Sequence, residues 1–229
     1  MARDSDTTQL LHHAAQVALT VREPVPGPGQ FTFVESIDHY TTAVQQSDGS
    51  FRTRDRGTQL RQVWRSADGG QAGLIRMRPA SDPAARPTEL PVAAGTHGYL
   101  ADLPTTAGAM MTYLYAHSHG DNPRDAQAFQ TAVDLLLGEF LTPAQQAAIF
   151  DTVAKLPGIS LRRDVSDLAG RHGVAVVLAG DAGPSPGAGV ATSPGQIIFD
   201  PDTGAYLGTD ASARLRQAVV EGAGQLPPA

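Results

Sequence analysis

Apolar positions in the first third of the chain follow two different periods. Residues 7–21 carry a helical stripe made by Leu10, Leu11, Ala14, Val17 and Ala18. This spacing predicts a helix. Beyond a Pro- and Gly-rich breaker at 23–29 the period becomes two, and polar turns divide residues 30–78 into short runs. These runs predict an antiparallel meander of four strands, at 30–46, 51–56, 59–66 and 73–78, with a turn at 47–49.

The middle of the chain changes character twice. Residues 79–98 are rich in Pro, Ala, Thr and Gly and show no period, which indicates an irregular connection. Helical periodicity then returns over residues 105–156. Three helix starts are marked by Thr105 or Thr106, by Asn122-Pro123, and by Thr142-Pro143 with a capping-box glutamine at Gln145. We therefore predict three consecutive helices, the last of which ends at Leu156-Pro157-Gly158.

Strand patterns resume over residues 159–221. The predicted strands lie at 159–165, 174–178, 196–200 and 205–208, with a flexible loop at 180–195. Residues 213–221 fit a final strand or, nearly as well, a short helix. This order of elements predicts an α+β fold in a single domain spanning 1–229. We expect a curved antiparallel sheet with an N-terminal helix and a central group of three helices packed on one face.

Composition narrows the classes of function. The chain of 229 residues is long enough to bury a core without disulfides, and it contains no cysteine. Its net charge of −6 argues against nucleic-acid binding, which needs a basic surface to displace counterions. No segment approaches the roughly 20 apolar residues that span a bilayer, so we predict no membrane span in this chain.

Signatures of catalysis and of cofactor binding are missing from the sequence. It has no GxSxG elbow, no GxGxxG fingerprint and no GxxxxGK[ST] loop, and the lack of cysteine excludes thiolate catalysis. We therefore expect a protein that is not an enzyme and that uses no cofactor.

His117-Ser118-His119-Gly120-Asp121 is the most tempting chemical cluster. Two histidines two residues apart share a metal when they project from one face of a strand, and a metal-dependent hydrolase using His117 and His119 is therefore an alternative. The cluster follows a predicted helix, where histidine is favoured electrostatically and Gly120 is a normal terminator. No HExxH motif or third ligand lies at a metal-like spacing, so we favour a helix end.

The segment Asp200-Pro201-Asp202-Thr203-Gly204 imitates the start of a calcium loop. With Asp200 as position 1, position 12 is Ala211, which cannot supply the bidentate carboxylate that such a loop requires. Proline, aspartate and glycine are also residues of tight turns, so we predict a hairpin turn and no metal site here.

Four residues are candidates for a ligand site. Phe33 and Glu35 share one face of the first predicted strand, Trp64 lies in the third, and Met111 lies in the first central helix. An ionised Glu35 among apolar neighbours needs a partner, such as an arginine of an adjacent strand, or a raised pKa. Ordinary core packing is the alternative for Trp64 and Met111. As a functional set, the four residues predict an apolar cavity between the sheet and the central helices.

Several stretches together carry a resemblance to a known family. They are QFTFVES at 30–36, VWRSADG at 63–69, YLADLPTTAGAMMTYLY at 99–115, LTPAQQAAIFDTVAKLPGI at 141–159, DLAGRHGVAVVL at 167–178 and IIFDPDTGAYLG at 197–208. The chain resembles an uncharacterised actinobacterial family of membrane-anchored proteins, often encoded beside extracytoplasmic-function sigma factors. The likeness runs from about Gln9 to Leu226. A looser likeness is to the half-barrel carriers of lipoproteins.

The resemblance implies an extracytoplasmic domain, in the cell envelope or secreted, that is membrane-anchored in the natural full-length protein. A stand-alone relative without an anchor is the alternative. We expect a non-enzymatic sensor or binding domain for a lipid, a hydrophobic peptide or a partner protein, the last being an envelope or anti-sigma-type protein. A structural interaction module with no ligand is the second hypothesis.

Overall fold

The structure is a computed structural model that describes residues 5–46, 49–119, 122–178 and 195–228, apart from the side chain of Thr53. These ranges contain four helices and nine strands. The helices are α1 (Ser5–Thr20), α2 (Ala107–Ala116), α3 (Arg124–Gly138) and α4 (Pro143–Val153). The strands are β1 (Phe31–Gln45), β2 (Phe51–Ser66), β3 (Gly73–Pro79), β4 (Thr88–Val92), β5 (Ile159–Ser166), β6 (His172–Leu178), β7 (Ile197–Phe199), β8 (Tyr206–Thr209) and β9 (Ser212–Val220).

All nine strands belong to one antiparallel sheet, in the order β4-β3-β2-β1-β9-β8-β7-β6-β5. The C-terminal strand β9 returns to pair with β1, from Phe31 opposite Val220 to Asp38 opposite Ser212. This pairing joins the meander β1–β4 to the meander β5–β9. The predicted α+β fold, with a curved antiparallel sheet, an N-terminal helix and a central helix group, is confirmed.

The two faces of the sheet are distinguished by the side chains that reach the helices. Arg65 of β2 and Arg214 of β9 donate hydrogen bonds to backbone carbonyls at the end of α3, so they lie on what we call the helix face. Trp64 precedes Arg65 in β2, and successive side chains of a strand point to opposite faces. Trp64 and its cross-strand neighbour Phe33 therefore lie on the other face, which we call the tail face.

The largest apolar cluster lies between the four helices and strands β5–β7. Its fully buried members include Leu11, Met110, Leu114, Phe129, Leu136, Ile149, Phe150, Ile197 and Phe199. The rings of Phe150 and Phe199 meet edge to face, with centroids 5.1 Å apart. Edge-to-face contact between buried rings adds to the stability that their buried area provides. The helix layer and the sheet are therefore held together by one continuous core.

A smaller apolar cluster lies on the tail face. Phe31, Phe33, Trp64 and Val220 are buried there, and the Phe33 and Trp64 ring centroids are 5.1 Å apart. The Trp64 indole Nε1 donates a 2.6 Å hydrogen bond to the carbonyl of Gln225. The C-terminal tail that follows β9 therefore crosses this face and covers the tryptophan.

The three predicted starts of the central helices agree with the structure to different degrees. The capping box at α4 is confirmed, since Gln145 N donates to Thr142 Oγ1 and the Gln145 side chain accepts from Thr142 N. Thr106 is the N-cap of α2 but its side chain makes no capping hydrogen bond. The prediction at α3 is wrong by one position, because Pro123 is the N-cap residue and the helix begins at Arg124.

Two strand predictions need correction. The connection at 79–98 is not wholly irregular, because β4 forms at Thr88–Val92 and pairs with β3 as an edge strand. The runs at 51–56 and 59–66 form the single strand β2, because a bulge opposite Tyr40/Thr41 takes up the extra residue. Gly57 lies in that bulge with a φ of 69°, a conformation that glycine adopts without strain.

The last segment, predicted as a strand or a short helix, is the strand β9. The predicted loop at 180–195 falls outside the described residues, except for Gly195. Most of the predicted turn at 47–49 also lies outside them.

Candidate functional site

A groove of about 290 Å³ lies on the helix face between α1 and α4. Its walls are mostly apolar and come from Ala14, Val17, Ala18, Val21, Pro143, Phe150 and Tyr206. Small-molecule sites are concave and apolar, with a few polar groups that fix orientation, and this groove lies at the lower end of their size range. We treat it as the candidate functional site.

The groove arises from the way in which α1 packs on α4. The side of α1 that enters the core carries the small residues Ala14, Ala15 and Ala18. Alanine side chains bring the helix close to its neighbour without filling the space beside it. The two helices are also joined by His12, whose Nδ1 lies 2.7 Å from Oδ1 of Asp151.

The polar lining of the groove comes from Glu23, Gln146, Arg214, Arg216 and Gln217. We call the part around Glu23, Gln217 and Arg214 its polar end, because Gln217 is hydrogen-bonded to both of the others. Gln217 Nε2 donates to Glu23 Oε2 at 2.9 Å and to the carbonyl of Leu141 at 2.7 Å. The other carboxylate oxygen of Glu23 makes no hydrogen bond to any residue in the described ranges. The polar end therefore contains a partly buried carboxylate with room for a further hydrogen-bond donor.

Burial raises the pKa of Glu23 above its ordinary value, because desolvation penalises the ionised form. The hydrogen bond from Gln217 and the positive charge of Arg214 oppose the rise without cancelling it. A ligand that brings a donor or a positive charge to this carboxylate would replace part of the water that burial removed. Arg214 and Arg216 also line the groove, but the first is bonded to carbonyls at the end of α3 and the second is paired with Glu35. Glu23 is therefore the charged group left to meet a ligand, and it favours a donor.

Arg214 forms the floor of the polar end and holds α3 in place. Its Nη2 donates a 2.6 Å hydrogen bond to the carbonyl of Leu136, and Nη1 lies 3.4 Å from the carbonyl of Glu139. The last carbonyls of a helix have no partner within the helix and carry a partial negative charge, so a cation there is stabilising. Burial lowers the pKa of Arg214, but a guanidinium keeps its proton in proteins.

Tyr206 supports the same helix end. Its hydroxyl donates to the carbonyl of Leu136 at 3.2 Å, and burial raises the pKa of the phenol to about 12. The side chain of Arg65 adds a bond to the carbonyl of Gly138 at 3.1 Å and an ion pair with Glu139 at 3.2 Å. Sequence reasoning did not single out any of these residues, because nothing local separates them from exposed arginines and tyrosines.

Of the four residues predicted to share a ligand cavity, Phe33, Glu35 and Trp64 lie together on the tail face, and Met111 lies apart from them. Phe33 and Trp64 belong to the tail-face cluster, whereas Met111 packs against the helix core on the opposite side of the sheet. Glu35 also lies on the tail face, where Gln62 Nε2 donates to it at 2.5 Å and Arg216 Nε lies 3.5 Å away. The expected arginine partner on a neighbouring strand is therefore present, on β9.

The histidine cluster lies at a helix end, as predicted. His117 is the C-cap residue of α2, its Nδ1 lies 2.9 Å from the carbonyl of Tyr113, and its ring stacks on the Tyr113 ring at 3.9 Å. Gly120, the predicted terminator, lies outside the described residues. In the described part of the chain no three His, Asp or Glu side chains are grouped so that they could hold a metal ion.

The segment that imitates a calcium loop is a turn. Asp200 Oδ1 accepts hydrogen bonds from the backbone N–H groups of Asp202 at 3.0 Å and Thr203 at 2.8 Å. These bonds lower the pKa of Asp200, since they stabilise its ionised form. The carboxylate thus serves the hairpin between β7 and β8, in agreement with the turn prediction.

The raised pKa of Glu23 predicts a pH-dependent effect of Glu23→Gln. A carboxyl whose pKa is raised by folding contributes stability that is present below its ordinary pKa and is lost as the pH rises through the folded value. We therefore expect Glu23→Gln to match the wild type near pH 4 and to be more stable by about 0.5 kcal/mol near pH 7, the small size reflecting partial exposure. Urea denaturation at both pH values measures the difference.

Glu221→Gln is the matched control for this prediction. Glu221 also accepts a hydrogen bond from a glutamine side chain, Gln30 Nε2 at 2.8 Å, but it is exposed. We expect no difference between the two pH values for this variant. A Glu23→Gln protein less stable than the wild type near pH 7 would show that the ionised carboxylate is fully satisfied in the groove.

None of the four described helices is long and apolar enough to cross a membrane. Comparison of the chain with models of protein families, with curated proteins and with solved structures found no match.

Proposed function

We propose that the chain is a non-enzymatic binding domain whose ligand occupies the groove between α1 and α4. The observation that carries this proposal is the combination of an apolar groove with one polar end, where one carboxylate oxygen of Glu23 has no hydrogen-bond partner among the described residues. A site of this composition selects a small amphiphile, with its apolar part between the helices and a hydrogen-bond donor at the polar end. A role as an extracytoplasmic, membrane-anchored sensor rests on the family resemblance and remains part of the proposal.

A second occupant of the same groove is an apolar side chain of a partner peptide or protein. Val21 forms part of the wall and is 53% exposed, so the rim of the groove presents apolar surface to solvent. Exposed apolar surface beside a concavity is typical of protein interaction sites. In this case the domain recognises a partner by one side chain inserted into the groove, and the variants that fill the groove would weaken binding of that partner as well.

Isothermal titration calorimetry with three single-chain probes of equal length tests the proposal. The probes are n-decylamine, 1-decanol and decanoate, each kept below the concentration at which it aggregates. We expect decylamine to bind most tightly and decanoate most weakly, with a spread of about ten-fold, because Glu23 accepts from the amine and repels the carboxylate. Glu23→Gln should remove most of the preference for the amine.

The location of binding is tested by filling the groove. Val17→Trp places a large ring in the wall of the groove, and Gln16→Trp places the same ring on the exposed side of the same helix. We expect Val17→Trp to weaken decylamine binding at least about ten-fold, and Gln16→Trp to leave it unchanged. Equal binding by both variants, or no binding of any probe to the wild type, would overturn the proposal.

A further inference from the structure

The β1–β2 hairpin extends beyond the rest of the sheet. β1 pairs with β9 only as far as Asp38, and β2 pairs with β3 only from Gln59 onward, but β1 and β2 pair with each other to Gln45 and Phe51. Residues 41–45 and 51–56 are therefore a two-stranded projection with no third strand, which we call the distal ribbon. Its described side chains are almost all exposed.

Three arginines lie on one face of the distal ribbon. Arg52 is opposite Val44 and Arg54 is opposite Thr42, so the two side chains, two residues apart, share a face. Arg56 joins them, since its Nε donates to Thr42 Oγ1 at 3.2 Å. Within the described ranges no carboxylate lies within 4.0 Å of these three guanidinium groups. The ribbon thus presents unpaired positive charge in a chain whose net charge is −6.

The aspartate of the described ribbon does not neutralise this face. Asp55 accepts a hydrogen bond from the backbone N–H of Gly57 at 2.7 Å, and it lies 3.0 Å from His39 Nε2. By strand alternation Asp55 belongs to the opposite face from Arg54. Its carboxylate is therefore committed to the base of the ribbon, and the arginine row is available to an anionic partner.

Apolar side chains are also exposed at the outer end of the ribbon, where Val44 shares the face of the arginines and Phe51 lies on the opposite face. Phe51 is 70% exposed and Val44 is 42% exposed. An exposed aromatic ring at the outer end of a projection that carries arginines matches the chemistry of a membrane interface, where rings enter the acyl boundary and guanidinium groups remain at the phosphates. An acidic protein would satisfy the arginines but would leave the projecting phenylalanine without a role. A single-stranded nucleic acid could stack its bases on the ring, and it is therefore the competing partner that the experiment must distinguish.

We propose that the distal ribbon docks this protein on an anionic phospholipid surface, with Phe51 at the acyl boundary and Arg52, Arg54 and Arg56 against lipid phosphates. Successive arginines of the row are about 7 Å apart along the strand. Arg52, which is nearest the outer end, therefore reaches the lipid phosphates first, and Arg54 and Arg56 follow as the ribbon tilts onto the membrane surface. No described residue of the distal ribbon lines the groove, and this docking is independent of the ligand proposal.

Vesicle co-sedimentation of the full chain tests the proposal. We expect binding to phosphatidylcholine vesicles that contain about 30 mol% phosphatidylglycerol, little binding to pure phosphatidylcholine, and loss of binding in about 0.5 M NaCl. The triple variant R52Q/R54Q/R56Q should bind the anionic vesicles at least ten-fold more weakly. The matched triple R22Q/R86Q/R162Q, which changes the net charge equally at exposed arginines elsewhere, should bind like the wild type.

The apolar contribution has its own pair of variants. Phe51→Ser should weaken vesicle binding several-fold, whereas Leu90→Ser, which removes an exposed apolar side chain from β4, should not. Equal losses in the two arginine triples would overturn the proposal, and so would equal binding to neutral and anionic vesicles. Tighter binding to a DNA or RNA oligonucleotide than to anionic vesicles, abolished by R52Q/R54Q/R56Q, would replace the membrane with a nucleic acid.

Discussion

Replacing Arg214 with Met is expected to lower the free energy of unfolding by about 2–4 kcal/mol. The substitution keeps most of the side-chain volume but removes the donors that serve the carbonyls of Leu136 and Glu139. Those carbonyls lie at the C-terminal end of α3, between the helix layer and the sheet. Water cannot easily take the place of the guanidinium as their hydrogen-bond donor there. Urea denaturation followed by circular dichroism measures the loss.

Two further variants separate the role of this arginine from a general effect of charge. Arg214→Lys keeps the charge but not the planar set of donors, so we expect it to recover less than half of the stability. Arg54→Met removes an exposed arginine from another strand and should change the stability by less than about 0.5 kcal/mol. Equal stabilities of Arg214→Met and Arg54→Met would contradict the assignment of Arg214 as the link between the sheet and α3.

Replacing Trp64 with Ala is expected to cost about 3–5 kcal/mol, the range for removing a large aromatic side chain from a core. Trp64 is fully buried between Phe33 and the C-terminal tail, and its indole N–H is bonded to the carbonyl of Gln225. Trp64→Phe retains most of the apolar contact and should cost about 1–2 kcal/mol, chiefly through that hydrogen bond. Phe51→Ala, at an exposed position of the same strand, is the control and should be nearly neutral.

Trp64 is the single tryptophan of the chain, so its fluorescence reports on the tail face alone. We expect blue-shifted emission that iodide does not quench, because the ring is covered by the tail. Two results would contradict the conclusion that the tail covers Trp64. One is a loss of stability in Trp64→Ala no larger than the loss in Phe51→Ala, and the other is emission typical of an indole ring in water. Decylamine should leave the emission unchanged, since its groove lies on the other side of the sheet.

Local periodicity was sufficient to predict the elements but not the face of the sheet on which each side chain lies. Alternation along β1 correctly placed Phe33 and Glu35 on one face, because period two is a property of the strand itself. Which face the helices cover depends on the arginines that reach α3, and on the return of β9 to the centre of the sheet. The arginine contacts join residues 73 and 78 positions apart, and the β1–β9 pairs join residues more than a hundred positions apart. No local pattern encodes either.

The groove was hidden from sequence reasoning for similar reasons. Glu23 lies in a Pro- and Gly-rich segment whose composition predicts a loop. Arg214 lies in β9, where the alternation of side chains is disturbed because the pairing with β1 shifts register between Glu35 and Ser36. The strand β4 was missed because Pro91 interrupts a short run, although proline is tolerated in an edge strand. The apolar stripe of α1 did predict part of the groove wall, since Ala14, Val17 and Ala18 were all on the predicted buried side of that helix.

Methyl chemical-shift mapping of the labelled wild-type protein during a decylamine titration tests the central claim most directly. The groove predicts that the methyl signals of Ala14, Val17, Ala18 and Val21 move together and saturate with the dissociation constant found by calorimetry. Signals of the tail-face cluster, such as those of Val220 and Leu74, should stay in place. Shifts confined to the tail face, with the α1 methyl groups unmoved, would contradict a ligand site between α1 and α4.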